Sequence, residues 1–268
     1  NYCWLYCYSF NFIWQKLSEF CMVGLKSKRK CLIGTSGFYY NHWYGKFYPE
    51  KLPKEKLLSY FAGNFNTVEL NSTFYHLPKE KTVENWFGKV PEGFTFAVKA
   101  SRFITHVKKL VNLMDSLDVF LKRAYLLREK LGPVLYQLPP ALKKDTEKLA
   151  NFIKKLPSDM RSVIEFRNPS WLDKEVFNIL RSYNVAHCII SMPNFPIVSE
   201  VTSDFIYIRM HGGSVLYNSN YSQTELKSWA KLILDFLKKG LDVYIYFNND
   251  ANAYAVRNAL TLKKFCGQ

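Results

Sequence analysis

Eight short runs rich in β-branched and aromatic residues recur along this chain, and most of them stop abruptly at a polar or charged side chain. They cover residues 31–36, 67–71, 94–99, 134–138, 162–166, 185–191, 205–210 and 243–247. Runs of that length and composition read as buried strands. Helical periodicity or helix boundary signals fill nearly every gap: 54–62, 82–87, 116–130, 144–155, a segment ending near 183, 223–238, and a last helix to about 264. In 223–238, Leu226, Trp229, Ala230, Ile233 and Leu237 fall on one face, and Gly240 follows as a cap. Alternation of this kind without a break in composition predicts one domain, an α/β fold of the (β/α)8 TIM-barrel type with eight mostly parallel strands and outer helices. A doubly wound sheet competes, but Gly34 and Gly37 do not make the G-x-G-x-x-G phosphate fingerprint.

A barrel gathers the C-terminal ends of its strands at one rim, where barrel enzymes place their sites. The seventh run closes in Arg209-Met210-His211-Gly212-Gly213, and such groups are costly at the end of a buried strand unless they face a cavity, a partner or a ligand. The other ends carry Ser36, Glu69 with Asn71, Lys99, Gln137, Glu165 with Arg167, Ser191, and Asn248-Asn249-Asp250. Glu69 and Glu165 are candidates for proton transfer, Lys99 for an electrophile, base or Schiff-base amine, and His211 for a proton shuttle. Arg167 and Arg209 can clamp a carboxylate or phosphate. Ser36, Asn71, Gln137, Asn248, Asn249 and Asp250 are the polar contacts, and Tyr39, Trp43, Phe74, Tyr75, Tyr217 and Tyr221 the rings suited to stacking on a sugar or base.

The competing reading is a buried ion-pair network of Glu69 and Glu165 with Lys99, Arg167 and Arg209 that braces the rim, and the two readings are compatible. Asp250 can equally cap the last helix. A metal held by Glu69, Glu165 and His211 is conceivable, yet three cations at the same rim oppose a divalent ion, so no metal or other cofactor is expected. Carboxylates at the ends of strands 4 and 7 mark the commonest barrel glycosidases; Gln137 and Arg209 stand there instead, which excludes that layout.

The chain of 268 residues is 48% hydrophobic, ample for one large core, and its formal net charge is +15. The basic pairs at 108–109, 143–144, 154–155, 238–239 and 263–264 are spread over separate helices and loops, which favours solvated faces over a nucleic-acid stripe. The favoured partner is a small anionic molecule such as a phosphorylated sugar or nucleotide fragment, handled by a hydrolase- or isomerase-type enzyme. A nucleic-acid-binding barrel and a non-catalytic scaffold are the alternatives. Six cysteines form no C-x-x-C pair, which suits free thiols and a cytoplasmic setting. Residues 1–21 fit no strand or helix period and offer no run long enough to span a membrane, and residues 1–29 read as an extension outside a domain covering 30–268.

The segments IGTSGFYYNHWYGKFYP, FNTVELNSTFYHLP, FTFAVKASRFITH, LYQLPP, VIEFRNPSW, IRMHG and YFNNDANAYAVRNA resemble the YecE-like family, domain-of-unknown-function family 72, over about residues 31–265. The resemblance implies a TIM-type barrel and no particular reaction. Two positions depart from the family pattern: Ser191 stands where strand 6 usually ends in Asp, and Gly213 where Arg often follows the His-Gly pair.

Overall fold

The computed structural model describes residues 29–268. The extension expected over residues 1–29 lies, apart from Arg29, outside the described residues. Eight strands form one all-parallel sheet: β1 Cys31–Thr35, β2 Thr67–Leu70, β3 Thr95–Lys99, β4 Leu131–Gln137, β5 Ser162–Glu165, β6 Ala186–Ser191, β7 Phe205–Met210 and β8 Asp242–Phe247. Around them run α1 Leu57–Ala62, the single turn α2 Ser72–Tyr75, α3 Glu80–Gly88, α4 Met114–Tyr125, α5 Thr146–Ile153, α6 Lys174–Ser182, α7 Gln223–Lys238 and α8 Tyr254–Phe265. The fold is the expected TIM-type barrel.

Hydrogen-bonded neighbours run β1-β8-β7-β6-β5-β4-β3-β2, so the ring closes between β1 and β2. That seam is bonded at its upper end, where Ser36 bridges Glu69 and the Gly37 amide donates to the Glu69 carbonyl at 2.7 Å. Gly34 lets the two strands come together, because a Cβ there would collide with the Thr67 carbonyl oxygen. Below the seam, Tyr246 and Thr67 join their hydroxyls at 2.7 Å.

Strand side chains alternate between the barrel interior and the helix layer. The inner set is Leu32, Ala97, Leu135, Val163, Ala186, Cys188, Ile190, Phe205, Tyr207, Tyr244 and Tyr246. The outer set (Ile33, Val68, Val98, Tyr136, Ile164, Ile189, Ile208 and Phe247 among it) packs with the helices in the main core. Continuing the inner parity to the strand ends places Ser36, Glu69, Asn71, Lys99, Gln137, Glu165, Arg167, Arg209, His211 and Asn248 in one upper layer. Asn249 and Ser191 have the outer parity.

Two local differences from the sequence expectation have physical causes. The helix expected over 116–130 ends at Tyr125, because Arg128 adopts φ 50° and breaks the helical path. Strand β4 starts three residues earlier than expected, and its register against β3 shifts between Phe96 and Val98, where Pro133 has no N–H to give the ladder. The gap between β6 and β7, where the sequence marks no helix, has none; Thr202 ties that connection to β6, accepting from His187 N and donating to Val185 O, both at 2.7 Å.

Candidate functional site

The upper layer is a continuous polar network. Arg209 lies at its centre, fully buried, donating through Nη2 to Glu69 Oε1 and through Nη1 to Glu165 Oε2, each at 2.7 Å. Tyr207, two residues earlier on β7, donates its hydroxyl to Glu69 Oε2 at 2.6 Å. Ser36 Oγ donates to Glu69 Oε1 and accepts from Asn71 Nδ2 at 2.6 Å and Arg209 Nη2 at 3.1 Å. Arg167 Nε pairs with Glu165 Oε1. Glu69, Glu165, Arg209 and His211 have no exposed surface.

Electrostatics follow from that packing. Burial by itself would raise the Glu165 carboxyl, but the guanidiniums of Arg167 and Arg209 outweigh it and hold the group well below the usual carboxylate range. For His211, burial and then the two arginines outweigh Glu165 and push the imidazole down to about 3. Its Nε2 lies 2.8 Å from Arg167 Nη2, which can only donate, and its Nδ1 lies 3.2 Å from the side-chain nitrogen of Asn248. The neutral ring accepts from Arg167. Glu165 is ionised between two cations, and both oxygens of Glu69 accept hydrogen bonds. The same contacts argue against a metal at Glu69, Glu165 and His211, because Arg209 already stands between the two carboxylates.

Lys99 is different. It ends β3 at 9% exposure, its Nζ lies 4.2 Å from the centre of the Phe74 ring, and Nζ has no hydrogen bond or ion pair among the described residues. Burial, then repulsion from Arg209, lowers its ammonium to about 8. His106 meets the same Phe74 ring edge-on at 5.1 Å between centres.

The remaining candidates divide. Asn71, Gln137, Arg167 and Asn248 are partly exposed at the rim, and Tyr39 and Tyr75 present 46% and 70% of their surface. Trp43 and Asn249 are fully buried and have no face to offer a ligand. The Trp43 indole sits among Tyr40, Phe47, Tyr48 and Phe61 and donates to Asp250 Oδ1 at 2.7 Å. Asn249, of outer parity, donates to Ser219 O and Asn258 Oδ1. Asp250 makes no side-chain cap; besides Trp43 it pairs with His42 at 2.9 Å. Beside the bowl, a cleft of about 490 Å³ has Tyr39, Tyr40, Asn71 and Trp86 on its walls.

The family described as "Protein of unknown function DUF72" matches residues 32–268. The chain belongs to the DUF72 family. Among its relatives is the UPF0759 protein YunF of Bacillus subtilis, 27% identical over 79% of this chain and 86% of that one. The UPF0759 protein YecE of Escherichia coli K12 is 31% identical over 44% of this chain and 43% of its own length. A crystal structure of a DUF72 family protein from Thermotoga maritima superposes with a TM-score of 0.81 at 29% identity, covering 89% of this chain and all of that one. One from Enterococcus faecalis, at 20% identity and TM-score 0.77, has the same fold.

In this DUF72 barrel two neighbours of the site, Tyr207 and His106, are absent from the sequence-derived set. Tyr207 was legible, since it shares the inner parity of Arg209 on the same run. His106 comes from the connection after β3, whose path no periodicity reports. Among the described residues, no helix is long and apolar enough to cross a membrane.

Proposed function

We propose that the mouth of this DUF72 barrel binds a small anionic molecule and acts on it as an enzyme of the hydrolase or isomerase type. One observation carries the reading: the layer holds three cations against two carboxylates, and the pairing leaves Lys99 as the surplus charge at the rim. A buried cation without a counter-ion is costly, and an anionic ligand offsets that cost. Arg167, its side chain 7% exposed and paired with Glu165, lies in the same layer, and Asn71, Gln137 and Asn248 supply neutral polar contacts. The fully buried trio Glu69, Arg209 and Glu165 acts beneath them as a rigid floor. Asn71 belongs to both the bowl and the adjoining cleft, which has room for the uncharged remainder of a small ligand. Free thiols at Cys31, Cys188 and Cys266 suit a reducing, cytoplasmic setting.

Titration calorimetry with inorganic phosphate and with a phosphorylated sugar tests this. Binding is expected to weaken with salt and to be lost in Lys99→Met. Absence of binding at millimolar anion, or affinity unchanged in Lys99→Met, ends the reading.

A further inference from the structure

Among the described residues two lysines are deeply buried, and they are treated differently. Lys130 directs Nζ at two carbonyl oxygens, Phe87 O and Val90 O, both at 2.8 Å. That is the ordinary way to satisfy a buried ammonium. Lys99, nine-tenths buried, has no such acceptor: its amine rests on the face of Phe74 and otherwise meets no polar partner among the described residues. Its backbone, by contrast, is firmly held. Thr73 Oγ1 donates to the Lys99 carbonyl at 2.7 Å, and Ala100 N donates to Leu135 O at 2.8 Å. A fixed strand end therefore presents an unengaged amine in the upper polar layer, above the Glu69, Arg209 and Glu165 floor. A purely bracing role would have paired it, as Arg209 and Arg167 are paired.

We propose that Lys99 is a catalytic amine that forms an imine with an aldehyde or ketone bearing a phosphate or carboxylate group. This rests on the anion-binding reading above and names the substrate class for the same site. The nitrogen lone pair attacks the carbonyl carbon, the C–O π bond breaks, and the oxygen takes a proton to give a carbinolamine. Loss of the hydroxyl as water, with one further proton, leaves a C=N bond. Overall, amine, carbonyl compound and one proton give a protonated imine and water, so no oxidant or reductant is needed. The product keeps the positive charge over Phe74 and draws electrons from the adjacent carbon, which serves isomerisation or cleavage next to a carbonyl. Attack requires the neutral amine. Burial and Arg209 supply it: with an ammonium near 8, about half of Lys99 is neutral at pH 8, against about one part in 300 for an ordinary lysine. His106, on the same aromatic ring, bonds through Nδ1 to Thr105 Oγ1 at 2.8 Å, and its Nε2 is without a partner among the described residues. It is the imidazole best placed to move the protons of the dehydration step.

The test is reductive trapping. The full chain is incubated at about pH 8 with glyceraldehyde 3-phosphate or with uncharged glyceraldehyde, reduced with cyanoborohydride, and the modified lysines are located by peptide mass spectrometry. The expected result is Lys99 labelled by the phosphorylated probe at least about tenfold faster than the exposed Lys238, with less labelling by the uncharged one. Inorganic phosphate should protect. Lys99→Arg should lose the label while keeping affinity for phosphate, since the charge remains. Lys99 labelled no faster than Lys238, in protein that still binds phosphate, overturns the imine proposal and leaves the anion reading standing. Equal labelling by both probes with no phosphate affinity overturns the anion reading, and with it this substrate class.

Discussion

Arg209 on β7 donates to Glu69 on β2 at 2.7 Å, although β8 and β1 stand between those strands in the sheet. The bond crosses the barrel's upper layer and ties its two halves together, since the same guanidinium also holds Glu165 on β5 at 2.7 Å. Replacing Arg209 by Met removes one charge, leaves Glu69 without a cation and leaves Glu165 with Arg167 alone. The expected cost is about 3–5 kcal/mol of folding stability, measured by urea denaturation at pH 7. A loss under 1 kcal/mol would show that water reaches both carboxylates.

Lys99→Met should have the opposite sign. Below pH 8 the lysine is charged in both folded and unfolded states, and burial penalises the folded one. Between about 8 and 10.5 the folded state has released the proton while the unfolded state keeps it, so stability climbs with pH across that window. The Met variant should be more stable at pH 7, by on the order of 2–3 kcal/mol, and should lack the climb. Denaturant midpoints measured from pH 7 to 10.5 decide it.

The acid limb belongs in part to His211. An unfolded histidine takes its proton near 6.5, whereas burial leaves the folded one neutral down to about 3. The unfolded state therefore binds more protons between those values, and stability falls as pH drops through the window. His187, pushed down to about 4 chiefly by burial, acts in the same direction. His211→Gln should flatten the acid limb, while costing about 1–2 kcal/mol at pH 7 through the lost Arg167 contact. An unchanged pH profile would mean that the folded imidazole takes up its proton at the same pH as the unfolded one.

At the β1–β2 seam, Gly34→Ala should destabilise by about 1–3 kcal/mol, because the added methyl group meets the backbone of Thr67 and not a side chain that can swing aside. Thermal unfolding gives the answer directly. A neutral result would place real slack in the seam.

Trp43→Phe should cost about 1–2 kcal/mol by removing the indole N–H from Asp250, and Asp250→Asn in the same background should add little. A double-mutant cycle measures the coupling. Additive losses would show that the two side chains act independently.

Strand count, strand order and the identity of the strand ends were readable from the chain alone, because burial on both faces forces compact apolar runs and the pleat fixes parity. The same parity already separates Asn249, one step beyond the inward Asn248, from the bowl. It also points to Tyr207 through Arg209. What no local pattern contains is which charge neutralises which. Glu69, Glu165 and Arg209 are far apart in sequence and look equivalent to Lys99 and Arg167 until the strands converge. Only closure of the barrel put one guanidinium between two carboxylates, left the Lys99 amine beside Phe74 without a counter-ion, and sealed Trp43 beneath its neighbours. Charge pairing and burial depend on distances between remote segments, and those exist only once the ring has closed.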